Sequence, residues 1–349
     1  MSEQVRAALA AVVEGRTLEL DEARVAMGSV MDGESTPAQL AALLVALRMR
    51  GETVDELAGF ASAMRERVLR VEAPDGTIDV VGTGGDGSGT FNISTTAALV
   101  VAAAGVPVAK HGNRAITSRS GAADVLEALG VRVDHSAESA AADLRGLGFA
   151  FLFAPLFHPA MRHAGPTRRE IGVRTAFNLL GPLTNPAGAR RGLVGVGDAG
   201  AVPKIAEVVR RLGTERTLVV HGAGVDELPL DGSGVILDVT PGGIAESRVD
   251  PAALGLMTAS TADLHGGTAD ENAALTVAVL GGADGARRDV VLLNAGAAFI
   301  AAGRVPALRD GIELAAETID GGQALALLER LRAAALRAAK AVGADGEPA

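Results

Sequence analysis

The 349-residue chain has no cysteine, no tryptophan and no tyrosine, and only eight phenylalanines. Without cysteine there is no disulfide framework, no thiolate metal site and no thiol nucleophile. With so few aromatics and 48% hydrophobic residues, the core must be built from Ala, Val, Leu and Ile, drawn together by glycine-rich turns. A long apolar run is also missing. The longest, Ala97 to Ala109, is interrupted by Gly105 and Pro107 and falls short of the roughly 20 residues that cross a bilayer. The first residues, Met1-Ser2-Glu3-Gln4-Val5-Arg6, lack the basic-then-apolar layout of a signal peptide. Basic charge is scarce too: the formal net charge is −10, which argues against nucleic-acid binding. Together these absences predict a soluble, cytoplasmic protein with neither membrane nor nucleic acid as partner. Lysine occurs only at Lys110, Lys204 and Lys340, so a lysine inside a motif carries information.

What is present divides the chain in two. Thr36-Pro37-Ala38-Gln39 combines a capping Thr, a Pro at the first helical position and a Gln three residues on. Leu40, Leu43, Leu44 and Leu47 follow at helical spacing until Gly51. Thr53 and Glu56 form a second capping box, followed by Leu57, Phe60, Ala61 and Met64. After Pro74-Asp75-Gly76 the pattern changes. Short apolar runs at Val80-Val81, Val106–Ala109, Ala150–Phe153, Leu218–Val220 and Val235–Val239 alternate with helical stretches and Gly-rich loops. That alternation predicts a mostly parallel sheet with crossover helices. From His158 to Pro186 the chain reads as a Pro-interrupted helical segment without a strand. The expected fold is α/β: a small N-terminal helical domain (1–72, completed by about 158–190) beside a larger α/β domain (73–157 and 191–349), its central sheet flanked by helices. A loose tail is expected from Gly343 to Ala349.

In an open α/β sheet, ligands bind outside the carboxyl ends of the strands, and unusual loops occupy those places. The first loop runs from Gly82 through Thr83-Gly84-Gly85-Asp86-Gly87-Ser88-Gly89-Thr90 to Phe91-Asn92-Ile93-Ser94-Thr95. Its free backbone N–H groups and the helix start behind them suit phosphate. Gly82, Gly84 and Gly87 also match G-x-G-x-x-G, but no ribose-binding acid follows about 20 residues later. No Gly-Lys-Ser/Thr is present, so a P-loop is excluded. Asp86 would repel bare phosphate and suits backbone, ribose hydroxyls or the vicinity of a metal. Asn92, Ser94 and Thr95 could alternatively just cap the helix. The second loop, Lys110-His111-Gly112-Asn113-Arg114-Ala115-Ile116-Thr117-Ser118-Arg119-Ser120-Gly121, is basic and hydroxyl-rich: a polyanion cradle or a solvated face. A third segment holds His158, His163, Arg168, Arg169 and Asn178-Leu179-Leu180-Gly181-Pro182-Leu183. The two histidines are five apart, poor spacing for zinc. Arg168 and Arg169 offer forks for a carboxylate, unless they pair with Glu170. The fourth loop, His221-Gly222-Ala223-Gly224-Val225-Asp226-Glu227, presents adjacent carboxylates suited to Mg²⁺.

In this order, G-T-G-G-D…T-F-N-I-S-T, K-H-G-N-R, H-P-A-M…R-R-E…R-T…F-N-L-L-G-P-L and a D-E pair resemble the anthranilate phosphoribosyltransferase family over nearly the whole chain. Arg174-Thr175 and Asn294 also fit. The resemblance implies transfer of the phosphoribosyl group of phosphoribosyl pyrophosphate (PRPP) to the amine of anthranilate, giving N-(5-phosphoribosyl)anthranilate and pyrophosphate in tryptophan biosynthesis. It implies two Mg²⁺ ions per subunit and a homodimer formed through the helical domains. It places Gly82, Gly85, Asp86, Thr90, Asn92, Ile93, Ser94, Thr95, Lys110 through Ser118 and Ala122 on PRPP. It places Gly82, His111, Asn113, Arg168, Gly181 and Pro182 on anthranilate, and Ser94, Asp226 and Glu227 on metal. No covalent nucleophile is implied; His111 is the side chain that could assist. Three positions depart from the family pattern: Ala122 and Thr117 each stand for a Ser, and Gly222–Val225 replaces a commoner G-x-D-G-L. Two rivals stay open. A nucleoside phosphorylase of the same broad fold would not need the Asp–Glu pair, and a PRPP-sensing module would bind without turnover.

Overall fold

The computed structural model describes residues 1–115 and 119–344; Ile116, Thr117, Ser118 and the last five residues of the expected tail lie outside the described residues. Four helices open the chain: α1 (Glu3–Val13), α2 (Leu20–Met31), α3 (Pro37–Arg50) and α4 (Val54–Glu66). The two capping boxes form as expected. Gln39 N–H donates to Thr36 Oγ1 at 3.2 Å while the Gln39 side chain accepts from Thr36 N–H at 3.1 Å, and Thr53 and Glu56 repeat the exchange. Each box satisfies two backbone donors that a helix start would otherwise leave unpaired. Gly51, at φ 91°, ends α3.

The remaining elements are β1 (Ile78–Gly82), α5 (Ile93–Ala103), β2 (Val108–Gly112), α6 (Ala122–Ala128), α7 (Ala137–Leu147), β3 (Phe149–Phe153), α8 (Ala154–Phe157), α9 (Gly165–Ile171), α10 (Phe177–Leu180), β4 (Arg191–Gly195), α11 (Val202–Arg211), β5 (Arg216–His221), β6 (Val235–Thr240), β7 (Gly243–Arg248), α12 (Ala269–Leu280), α13 (Ala286–Ala301), α14 (Leu308–Asp320) and α15 (Gln323–Ala344). The seven strands lie in the order β3-β2-β1-β4-β5-β6-β7. β1 to β5 are parallel, and β6 and β7 add an antiparallel edge. Strand order reverses at β1, where the chain first builds outward to β2 and β3 and then returns to β4, so a crevice opens between the loops that leave β1 and β4. Two strands were not expected from the sequence, β4 and β7. In the segment from His158 to Pro186 only helical turns occur, as expected; α9 packs on α3 and α10 on α4.

Both faces of the sheet are covered. Successive strand residues point to opposite sides, so Val80, Leu193, Leu218 and Val220 join the core made with α5, α13 and α15, while Val81, Val194 and Val219 join the core shared with α11 and the N-terminal helices. That two-sided burial explains the unbroken apolar runs of the strands. Among the described residues no helix is long and apolar enough to cross a membrane.

Candidate active site

The acidic pair after β5 sits on a floor of glycine. Gly82 and Gly195 are register partners at the carboxyl ends of β1 and β4. A Cβ on Gly82 would overlap the Asp226 carboxylate, and one on Gly195 would overlap the Asp226 carbonyl oxygen. Only glycine leaves room for this approach. Asp226 Oδ2 accepts from Gly84 N–H at 2.7 Å, tying the acidic loop to the glycine-rich loop. Asp86 reaches the same place: its Oδ1 accepts from Ser88 N–H at 3.1 Å and Ser88 Oγ at 3.0 Å. Asp86, Asp226 and Glu227 each offer an oxygen within 4.8 Å of the others.

Burial and close like charge raise the two carboxylates of the acidic pair. Burial, and then Asp86, push Asp226 up to about 6. Burial, and then Asp226, push Glu227 well above the usual carboxylate range. Glu227 Oε2 is buried without a hydrogen-bond partner. A divalent cation would satisfy this oxygen and offset the repulsion, so the donor set fits Mg²⁺. The sequence signals Asp226 and Glu227 and offers the vicinity of a metal as one reading of Asp86; the fold brings all three together.

Opposite lies Lys110. β1 meets β2 at Ile78–Val108, and beyond that point side chains span the two strands. Lys110 Nζ donates to the Val80 carbonyl at 2.6 Å and lies 3.4 Å from Ser94 Oγ. His111 N–H donates to Asp79 Oδ1 at 3.2 Å, and Asn185 Nδ2 donates to Asp79 Oδ2 at 2.7 Å. Lys110 is 2% exposed, and burial lowers it to about 8, opposed by the charges of Asp79, Glu227 and Asp226. One buried ammonium thus faces an acidic cluster across the glycine-rich loop.

The other expected residues divide. Asn92 precedes α5, yet its side chain does not cap the helix. Its Nδ2 donates to the Ser120 carbonyl at 3.3 Å, and its Oδ1 accepts from Asn272 Nδ2 at 2.9 Å; the capping alternative is overturned for this residue. Thr90 lies 3.2 Å from Ser88 Oγ, and Gly85 receives Arg174 on its carbonyl. Ile93 and Thr95 are buried in the first turn of α5. Gly112 closes β2, Asn113 and Ala115 follow it, and Ala122 opens α6. Arg114 is bound to Glu127 and Asp124. His111 Nδ1 lies 3.1 Å from the Gly181 carbonyl, beside Pro182, and its ring stands 5.1 Å from that of His158. Arg168 stacks its guanidinium 4.7 Å from the Phe177 ring centroid; burial lowers its pKa, and among the described residues no carboxylate pairs with it. Asn272 and Gly195 carry no recognisable sequence signal, because their importance lies in partners far along the chain.

Residues 74–325 match the glycosyl transferase family a/b domain, and residues 6–68 match the helical bundle domain of the same family. The chain is 51% identical over 330 residues to the anthranilate phosphoribosyltransferase of Azorhizobium caulinodans, covering 94% of this chain and 96% of that one. It is 53% identical over 327 residues to the enzyme of that name from Thermomicrobium roseum, covering 92% and 94%. The crystal structure of the Thermus thermophilus anthranilate phosphoribosyltransferase superposes with a TM-score of 0.89 at 48% identity, covering 95% of this chain and 99% of that one. The Saccharomyces cerevisiae enzyme in complex with PRPP and Mg gives 0.88 at 26% identity, covering 96% and 99%.

Proposed function

The chain belongs to the anthranilate phosphoribosyltransferase family, and from that premise we propose that it transfers the phosphoribosyl group of PRPP to the amine of anthranilate, releasing pyrophosphate, in tryptophan biosynthesis. The observation that carries this reading is the convergence of Lys110 with Asp86, Asp226 and Glu227 around the glycine-rich loop. A phosphorylase using inorganic phosphate has no need of such a carboxylate cluster. A sensing module has no need of a stacked arginine in the facing segment.

The chemistry asks little of a base, since an aryl amine is neutral at pH 7. The C1–O bond to pyrophosphate breaks and its electron pair leaves with that group. The amine lone pair forms the new C1–N bond, and the nitrogen then sheds a proton. A loose, oxocarbenium-like transition state is expected, as in other glycosyl transfers. The protein's part is to hold both substrates in line and to favour the departing negative charge. Asp226, Glu227 and Ser94 would hold Mg²⁺, two ions per subunit, with Asp86 beside them. Bound there, Mg²⁺ supplies charge neutralisation for the pyrophosphate. Lys110 adds a fixed positive charge, and the N–H groups of the glycine-rich loop receive phosphate oxygens. Arg168 takes the anthranilate carboxylate, with Asn113, His111, Gly181 and Pro182 around the ring. No residue acts as a covalent nucleophile.

We also read the protein as a homodimer through its helical domain. Val13 on α1 and Val45 and Met49 on α3 are 70%, 37% and 83% exposed, and the last two lie four residues apart on one helical face. Sedimentation at micromolar concentration should give twice the chain mass; a monomer alone would reject the dimer.

The test of function is formation of a fluorescent product from anthranilate, PRPP and Mg²⁺. Wild type should turn over and lose its activity in excess chelator. The double substitution Asp226→Asn with Glu227→Gln should lose on the order of a hundredfold or more while keeping its circular dichroism spectrum. Full activity in chelator, or nucleoside phosphorolysis in its place, would overturn the assignment.

A further inference from the structure

α13 is buried from Val290 to Ala301, and over that stretch its side chains are apolar except one. That one is Asn294, 1% exposed. An amide inside such a helix costs stability unless it is fully bonded. Asn294 is bonded to the chain segment that leaves the acidic pair. Its Oδ1 accepts from Leu228 N–H at 3.0 Å, and its Nδ2 donates to the Leu228 carbonyl at 3.0 Å and to Val290 of its own helix at 2.8 Å. Leu228 therefore receives from one side chain the donor and acceptor that a neighbouring strand would supply.

The consequence falls on the preceding residue. Glu227 Oε2 is buried with no donor, so the direction of that oxygen depends on where the main chain points it. The loop is held at its other end by a turn in which Val225 N–H donates to the Gly222 carbonyl at 2.8 Å. Between this turn and Asn294 lie Asp226 and Glu227. We propose that Asn294 is a positioning residue for the metal-binding carboxylates, fixing Glu227 through both backbone groups of Leu228. It touches no substrate. Groups that orient metal ligands are worth about 10- to 100-fold in metal affinity or activity. The inference rests on the metal reading above.

The test uses the full chain with Asn294→Ala and Asn294→Ser. Both substitutions suit an Ala-rich helix, and folding is checked by circular dichroism. Mn²⁺ binding is followed by electron paramagnetic resonance in the presence of inorganic pyrophosphate, and Mg²⁺ half-saturation and the KM for anthranilate are measured alongside. Expected are a weakening of Mn²⁺ binding and a rise in Mg²⁺ half-saturation of about tenfold or more, with little change in the anthranilate KM. A role confined to stability would lower the melting temperature and leave Mn²⁺ binding intact in the folded variant. That result, in either variant, overturns the proposal. If wild type itself fails to bind Mn²⁺, the metal reading falls and takes this inference with it.

Discussion

The carboxylate of Asp226 is seated over Gly82, so close that a methyl group on that glycine would coincide with it. Gly82 ends β1 at the point where strand order reverses, and its register partner Gly195 underlies the backbone of Asp226. These two glycines are where strands β1 and β4 make room for the loop that follows β5.

Gly82→Ala should therefore act on metal use before it acts on the fold. The new methyl would push Asp226 off Gly84 N–H and away from Asp86 and Glu227. We expect kcat/KM to fall by about 10- to 100-fold, with a matching rise in the Mg²⁺ concentration for half-maximal activity. A Mg²⁺ titration decides it: an unchanged midpoint would mean that Asp226 finds the same place by another route.

Ala223 is the only described non-glycine residue with positive φ, at 51°. It occupies the tight turn Gly222–Val225 together with Gly224 at φ 78°, a place where Gly or Asn fits better. The left-handed region costs an alanine roughly 1–2 kcal/mol, part of which is cancelled because glycine loses more freedom on folding. Ala223→Gly should raise the unfolding free energy by about 0.5–1 kcal/mol in urea titration. A loss of stability would show that the surrounding contacts already absorb the strain.

The parts of this protein that local pattern could reveal are those whose causes are local. Capping boxes at Thr36 and Thr53, the apolar strands and the glycine-rich and acidic loops all carry their reasons within a few residues. β4 does not, because Arg191-Gly192-Leu193-Val194-Gly195 is broken by two glycines, Gly192 against the Asp79 carbonyl and Gly195 beneath Asp226. β7, Gly243–Arg248, is a largely exposed edge strand with a charged end, so burial leaves no apolar pattern to read. Asn272 is invisible for a different reason. It bonds Asn92 across 180 residues of sequence, and nothing near position 272 announces that. Asp86 could be read as a polar loop residue, but its place beside Asp226 depends on β1 and β5 lying on either side of β4.

The buried histidines predict a pH effect on stability. Burial, and then His158, hold His111 down at about 3, and burial holds His158 down at about 4, against 6.5 for the free side chain. Below 6.5 the unfolded chain takes up these protons while the folded chain refuses them, so each histidine makes stability fall as pH drops. The slope is about 1.4 kcal/mol per pH unit per proton. For His158 the loss runs from 6.5 to about 4. Asp79, which burial raises to about 6, acts in the opposite sense, since its folded form binds the proton first. Comparison of variants removes that background. The stability of His158→Gln relative to wild type should improve by about 1.4 kcal/mol for each unit of acidification between pH 6 and 5. A constant difference across that range would mean His158 is protonated in the folded protein.

Arg168 and Lys110 should separate the two substrates. Arg168 lies on α9, in the helical segment packed on the N-terminal domain; Lys110 lies within β2 of the sheet. The Arg168 guanidinium lies over the Phe177 ring at 4.7 Å. Stacking fixes its plane, leaving the edge N–H groups free for a carboxylate, and among the described residues no acid occupies them. A two-point bond from a planar fork is directional and stronger in a partly dry site than in water. Lysine keeps the charge but has neither the plane nor the paired donors. Arg168→Lys should thus raise the KM for anthranilate by about tenfold or more, the loss of one charge-assisted hydrogen bond being worth roughly 1.5–3 kcal/mol, with a much smaller effect on the KM for PRPP. Lys110→Ala should do the reverse, because its ammonium stands at Val80 and Ser94, beside the glycine-rich loop. Steady-state kinetics with each substrate varied in turn separates the two roles. If Arg168→Lys moved both Michaelis constants equally, the stack on Phe177 would be holding α9 in place instead of presenting a fork to the acceptor, and Arg169, exposed on the same helix, would be the next residue to test.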